Sequence, residues 1–209
     1  MRFLVVTLCC FVGPPIVRAD STEDAAIKVI KQLGGQIKQN GEVVDLSRTQ
    51  VTDAELKELA ALKNLATLNL SETWWVTGAG IKELAALKNL TTLDLCGLAS
   101  NDSTPGGVRK PLLNDDGVKE LATLRNLRSL VLAWTSVTPA GLKAVAALKN
   151  LTILNLSCSD VTDAGLKELA TLRNLATLHL AYTVVTDAGL KELAALKNLT
   201  TLNLSRARV

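Results

Sequence analysis

VTDAELKELAALKNLATLNLSETW, residues 51–74, is the stretch on which the reading of this chain turns. The phrase returns from Val76, Leu113, Val137, Val161 and Val185, with a basic period of 24 residues. A fixed period in the twenties marks a solenoid, in which each unit buries its apolar side only against its neighbours. Two rhythms follow one another inside the phrase. Leu68 and Leu70 alternate with polar residues at strand period, and residues such as Leu166, Leu169 and Leu172 switch to helical spacing. Each unit therefore reads as strand, loop and helix.

The strand segment has the form L-x-x-L-x-L in six copies: Leu65, Leu68, Leu70; Leu90, Leu93, Leu95; Leu127, Leu130, Leu132; Leu151, Leu154, Leu156; Leu175, Leu178, Leu180; Leu199, Leu202, Leu204. Over about residues 42–205 the chain resembles a leucine-rich repeat protein. Its T-D-A-G-L-K-E-L phrase is similar to the helix-bearing subclasses, ribonuclease-inhibitor-like and cysteine-containing, and the block as a whole resembles an exported, bacterial-type member. The resemblance implies an α/β fold, a right-handed solenoid bent into an arc, with a concave parallel sheet and convex helices. It also implies a protein or peptide partner. One departure stands out. Where many members carry Asn or Cys three residues after the last strand leucine, this chain has Thr49, Thr73, Thr135, Ser159 and Thr183, hydroxyls expected to bond backbone groups of neighbouring turns.

Helix boundaries are legible as well. Thr52, Thr77, Asn114, Thr138, Thr162 and Thr186 stand at N-cap positions, Thr52 with Glu55 fits a capping box, and Pro139 takes the tolerated first helical position. Pairs such as Lys63-Asn64 and Arg173-Asn174 close the helices, the cation suiting the helix dipole and the Asn a left-handed cap. A helix is about 10 Å wide and parallel strands lie about 4.8 Å apart, so stacking such units bends the array with the strands inside.

The flanks differ from the repeats. Met1-Arg2, the apolar run FLVVTLCCFVG at 3–13 and Val17-Arg18-Ala19 read as a secretory signal over 1–19, too short to span a bilayer and ended by Pro14-Pro15, with the mature chain beginning at Asp20. Its removal takes Arg2 and Arg18 from the 23 basic residues and none from the 20 acidic ones, which leaves almost no net charge. Nothing then favours nucleic acid or an anionic membrane as partner. Residues 20–50 read as a cap: a helix over 22–33, then a hairpin across Asn40-Gly41 that lays an antiparallel strand over the first edge. Residues 51–209 hold about six units, with an exposed loop inserted near 98–110. The last unit lacks such a cap, so its edge is a candidate for self-association or for continuation into further repeats.

Candidate contact residues follow from the columns that a stacked sheet creates. One concave column reads Asp45, Asn69, Asp94, Val131, Asn155, His179, Asn203; a second, two residues past the last strand leucine, reads Arg48, Glu72, Gly97, Trp134, Cys158, Tyr182, Arg206. Trp134 and Tyr182 are expected about 10 Å apart on one rim, flanking Cys158, as binding anchors. Trp74 and Trp75 lie where a unit is one residue longer, on the side of the inserted loop. Trp134, Tyr182, Trp74, Trp75, His179 and Asn155 are the candidate partner-binding set.

The composition argues against catalysis. Aromatics are 3% of the chain, both phenylalanines lie in the first eleven residues, and His179 is the single histidine, which leaves little material for general acid/base chemistry. Ser157 lies diagonally from His179, but Asn155 and Asn203 flank that histidine without an orienting carboxylate. No metal-ligand cluster or phosphate-cradling motif occurs, and Cys96 and Cys158, two repeats apart, are too far from one another for a disulfide. The sequence therefore predicts a non-enzymatic, cofactor-free, exported binding module, with a structural assembly unit as the rival reading.

Overall fold

The computed structural model describes residues 22–97 and 113–209. The expected signal over 1–19, the start at Asp20 and the loop near 98–110 lie outside the described residues. Among those described, eight strands form one sheet in chain order: β1 (Gln36–Lys38), β2 (Val43–Asp45), β3 (Thr67–Asn69), β4 (Thr92–Asp94), β5 (Ser129–Val131), β6 (Ile153–Asn155), β7 (Thr177–His179) and β8 (Thr201–Asn203). From β2 to β8 every pairing is parallel, with the middle strand leucine opposite its equivalent, as Leu130, Leu154 and Leu178 are. Helix α1 (Thr22–Gln32) precedes the sheet, and α2 (Asp53–Leu59), α3 (Gly78–Glu83), α4 (Asp115–Leu121), α5 (Pro139–Val145), α6 (Asp163–Leu169) and α7 (Asp187–Glu192) link successive strands. The architecture is the α/β repeat solenoid expected from the period.

Burial follows the phrase. All three strand leucines of the unit at 151–156 are fully buried, as are Leu166, Leu169 and Leu172 of the helix that follows, so each unit seals the next into one continuous apolar core. At the leading end β1 runs antiparallel to β2, and Ala26 and Ile30 of α1 are buried over the first units. The connecting turn is a 3-10 turn over Gln39–Gly41 in which Gln39 and Gly41 both have positive φ. At the other end Leu202 is 39% exposed although its equivalents on β3 to β7 are fully buried, because only one neighbour covers it.

Three polar ladders run along the solenoid, two of them joining neighbouring units, and the sequence had suggested only parts of them. The hydroxyls of Thr49, Thr73, Thr135, Ser159 and Thr183 donate to the carbonyls of Leu46, Leu70, Leu132, Leu156 and Leu180, three residues back. They therefore close their own turn rather than bridging to the next, which corrects the expectation. The Asn residues after the helices do not adopt the left-handed cap; none of them has positive φ. Instead Asn89, Asn126, Asn150, Asn174 and Asn198 donate from Nδ2 to carbonyls of the preceding unit, at 2.7–2.9 Å.

The third ladder explains the T-D-x-G grammar. Asp53, Asp115 and Asp163, each first in its helix, accept from both the backbone N–H and the hydroxyl of the N-cap Thr of the next unit: Thr77, Thr138 and Thr186. The space for that carboxylate is made by glycine, since a Cβ on Gly80, Gly141 or Gly189 would collide with the Oδ1 of Asp53, Asp115 or Asp163. Gly78 and Pro139 replace the Asp in α3 and α5. Beyond Pro139, Thr162 is the one N-cap Thr of these helices without a side-chain capping bond.

Candidate functional site

Two residues past the last strand leucine the backbone turns left-handed in every described unit. Arg48, Glu72, Trp134, Cys158, Tyr182 and Arg206 have φ of 56–59°, and Gly97 has φ of 74°. Left-handed backbone costs a residue with a side chain roughly 1–2 kcal/mol, and a bulky residue there is an outlier worth explaining. The conformation persists because its N–H is spent on the next unit: Trp134 donates to Ser157 (3.0 Å), Cys158 to Ala181 (2.8 Å) and Tyr182 to Ser205 (2.9 Å). The strand ladder thus continues into the rim. It holds these side chains on a backbone as regular as the sheet.

The rim changes character along its length. At the leading end Arg48 and Glu72 form a two-pronged ion pair, Nε to Oε2 and Nη2 to Oε1, both 3.0 Å. Farther along come Trp134, 51% exposed, half-buried Cys158, and Tyr182, 56% exposed. The Arg206 guanidinium lies 5.4 Å from the centre of the Tyr182 ring, within range of a cation–π contact. Val184, 41% exposed, extends the apolar edge beside Tyr182. The structure thus brings Trp134 and Tyr182 onto one rim with Cys158 between. Trp74 and Trp75, also exposed, stand off the column where the strand-like bridge from Thr52 to Trp75 forms.

The concave floor is more committed to the fold than the column pattern suggests. Asn155 accepts from the Ser157 N–H at 3.0 Å, and Asp45, Asn69, Asp94 and Asn203 make the same bond two residues ahead. These are Asx turns. They hold the Asn155 oxygen toward its own turn and leave its amide N–H groups for a partner. His179 is half-buried and Val131 is the apolar interruption of the column. Ile153 on the same face is 41% exposed. It escaped the sequence reading because it occupies a slot that is Thr or Ser in β3, β4, β5, β7 and β8. On the opposite edge Asn89, Thr91, Asn126, Arg128 and Asn150 line an open polar notch of about 200 Å³.

Cys96 and Cys158 are free thiols. Burial pushes the Cys96 thiol up to about 11, with the Asp94 and Glu72 charges adding to the rise, so it is protonated and a poor nucleophile at neutral pH. No three His, Cys, Asp or Glu side chains gather as metal ligands among the described residues. None of the described helices is long and apolar enough to cross a membrane.

Asp94 gives a pH-dependent prediction. Burial raises its carboxyl above the usual range, with Asp45 repelling it, against the Cys96 N–H that stabilises its charge. A carboxyl with a raised folded-state pKa holds its proton more tightly folded than unfolded, so stability is lost as pH rises through that pKa. Asp94→Asn keeps the Asx acceptor that Asn69 and Asn155 use and removes the charge. It is expected to raise Tm at pH 7, on the order of 2 °C. In thermal melts the gain should shrink as acid protonates Asp94; an equal gain at every pH would contradict the stated cause.

Residues 123–146, 147–170 and 171–194 each match the family model described as Leucine Rich repeat. No curated protein matches the chain. Among solved structures it is similar to internalin C2 of Listeria monocytogenes, 23% identical, with 80% of this chain and 72% of that one covered and a TM-score of 0.53. It is also similar to an internalin (inlF) of the same organism, 21% identical, with 78% of this chain and 48% of that one covered and a TM-score of 0.53. At such identity the likeness concerns the fold, which is that of a leucine-rich-repeat solenoid.

Proposed function

We propose that this leucine-rich-repeat chain is an exported, non-enzymatic binding module of the helix-bearing kind, which presents a rigid rim and concave face to a protein or peptide partner outside the cytoplasm. The observation that carries the reading is the pair Trp134 and Tyr182, half or more exposed on left-handed backbone that the sheet ladder immobilises. Large rings carried on an ordered backbone give contact area at low entropic cost, and Trp and Tyr dominate interface hot spots. Trp74, Trp75, His179 and Asn155 are assigned to the periphery of the same surface. Export rests on the sequence at 1–19, and cleavage before Asp20 belongs to the same proposal.

A second reading has its own observation. Leu202 is exposed at the outer edge of β8 and Leu199 and Leu204 are only partly covered, so that edge suits association with another repeat surface. Affinity capture on the exported chain, followed by mass spectrometry and titration of the captured protein, separates the two. Trp134→Ala and Tyr182→Ala should each weaken binding at least about ten-fold, while Lys167→Ala on the exposed helical face changes nothing and melting curves stay in place. Loss of association in Leu202→Lys alone, with both aromatic variants binding normally, would transfer the function to the edge.

A further inference from the structure

The spacing of the rim aromatics selects a class of partner. Trp134 and Tyr182 are separated by two turns of the solenoid, and each turn advances by the distance between paired parallel strands, about 4.8 Å. The two side chains therefore leave the backbone about 9.6 Å apart. A polyproline II helix rises about 3.1 Å per residue with three residues per turn, so its residues i and i+3 share a face at about 9.3 Å. The two periods agree within the freedom of a side-chain torsion. An extended β-strand repeats its face at about 6.7 Å and falls out of step. An α-helix brings residues i and i+7 into line at about 10.5 Å but is about 10 Å across, broader than a single file of side chains.

Chemistry agrees with geometry. The compact pyrrolidine ring packs on aromatic faces, and the polyproline conformation, with no internal hydrogen bonds, is already ordered and offers its carbonyls to donors such as the Tyr182 hydroxyl. Cys158 between the anchors is small and half-buried, leaving room for the intervening residues. One turn beyond Tyr182 stands exposed Arg206, stacked on that ring and joined to no Asp or Glu among the described residues. A step of about 4.8 Å is one to two polyproline residues, which sets the place of a complementary acid.

We propose that the Trp134–Cys158–Tyr182 rim binds a proline-rich peptide with P-x-x-P spacing, followed one or two residues beyond the Tyr182-bound proline by Asp or Glu. The proposal rests on the reading of this rim as the partner-binding surface, and it names the partner's chemistry. The test is an NMR titration of the full chain with acetyl-APAAPAEA-amide, compared with peptides whose second proline is moved one residue either way. The expected result is saturable binding with a Kd on the order of 100 µM, weakened at least about ten-fold by either move. Trp134→Ala and Tyr182→Ala should each cost at least about ten-fold, with Trp134→Phe and Tyr182→Phe recovering most of it as controls for folding. Arg206→Glu should weaken this peptide about five-fold and leave its Glu→Ala version unchanged.

Absence of binding at millimolar peptide, indifference to proline spacing, or equal binding of a helical peptide with apolar residues seven apart would each overturn the proposal. Should every peptide fail while Trp134→Ala and Tyr182→Ala still weaken a captured protein ten-fold, the rim stands as the binding surface and only the proline assignment falls.

Discussion

Leu154→Ala is expected to lower the unfolding free energy by about 3–5 kcal/mol, the range for a buried leucine whose cavity cannot collapse. Leu154 is fully buried on β6, between Leu130 of β5 and Leu178 of β7, which are also fully buried. Its loss therefore leaves a void shared by three units and weakens the stacking on both sides, in a fold where stability is largely the sum of such interfaces. Against a total of about 5–15 kcal/mol this is a large fraction. The control is internal to the chain. Leu202 holds the same place in the phrase but is 39% exposed, so Leu202→Ala should cost about 1 kcal/mol or less. Urea denaturation of the two variants checks the contrast; equal losses would mean that position in the stack does not govern the energy.

Gly117→Ala should cost about 3 kcal/mol, the upper part of the range for overpacking, although alanine in place of a helical glycine normally gains about 1 kcal/mol. The reversal comes from the neighbouring unit. A Cβ on Gly117 would sit 2.8 Å from the Cα of Gly78 and 2.8 Å from Cδ1 of Leu113. The first of these is backbone and cannot turn aside, so α3 and α4 must separate and open the core beneath them. Gly165 of α6 occupies the equivalent position and its Cβ would meet chiefly the tip of Leu142, with the Cα of Pro139 no nearer than 3.8 Å. Gly165→Ala is therefore expected to lie within about 1 kcal/mol of the parent, the side-chain tip giving way while the helix gains propensity. Thermal melts of both variants decide the matter, and a stabilised Gly117→Ala would show that the close approach of these helices is not required.

Whether a glycine is replaceable, then, depends on a neighbour 39 residues away for Gly117 and Gly78, although both sit in phrases that read alike. The same division runs through the whole protein. Period, strand–helix alternation, N-caps and the inward leucines were legible because each is a local pattern, fixed by side-chain direction within a few residues. The Asp53–Thr77 clasp and its copies were visible only as unexplained letters, since their meaning lies in contacts across 23 or 24 residues of chain. Asn64 and Asn174 misled for that reason. Asn is at home in a left-handed cap, but at Asn174 its amide is worth more as a donor to the unit before it.

The candidate site divides in the same way. The sequence by itself placed Trp134, Cys158 and Tyr182 in one column, because a repeat converts equal offsets into neighbours. What required the tertiary structure was their attitude and their wiring. Only the stacked sheet shows that each sits on left-handed backbone whose N–H is held by the following unit, that Asn155 is half consumed by an Asx turn, that Ile153 is open to solvent, and that Arg206 lies over Tyr182. A repeated phrase determines which side chains come into register, since register is a matter of counting. It does not determine how exposed or how free each one is, because burial and hydrogen bonding belong to the neighbours that the fold supplies.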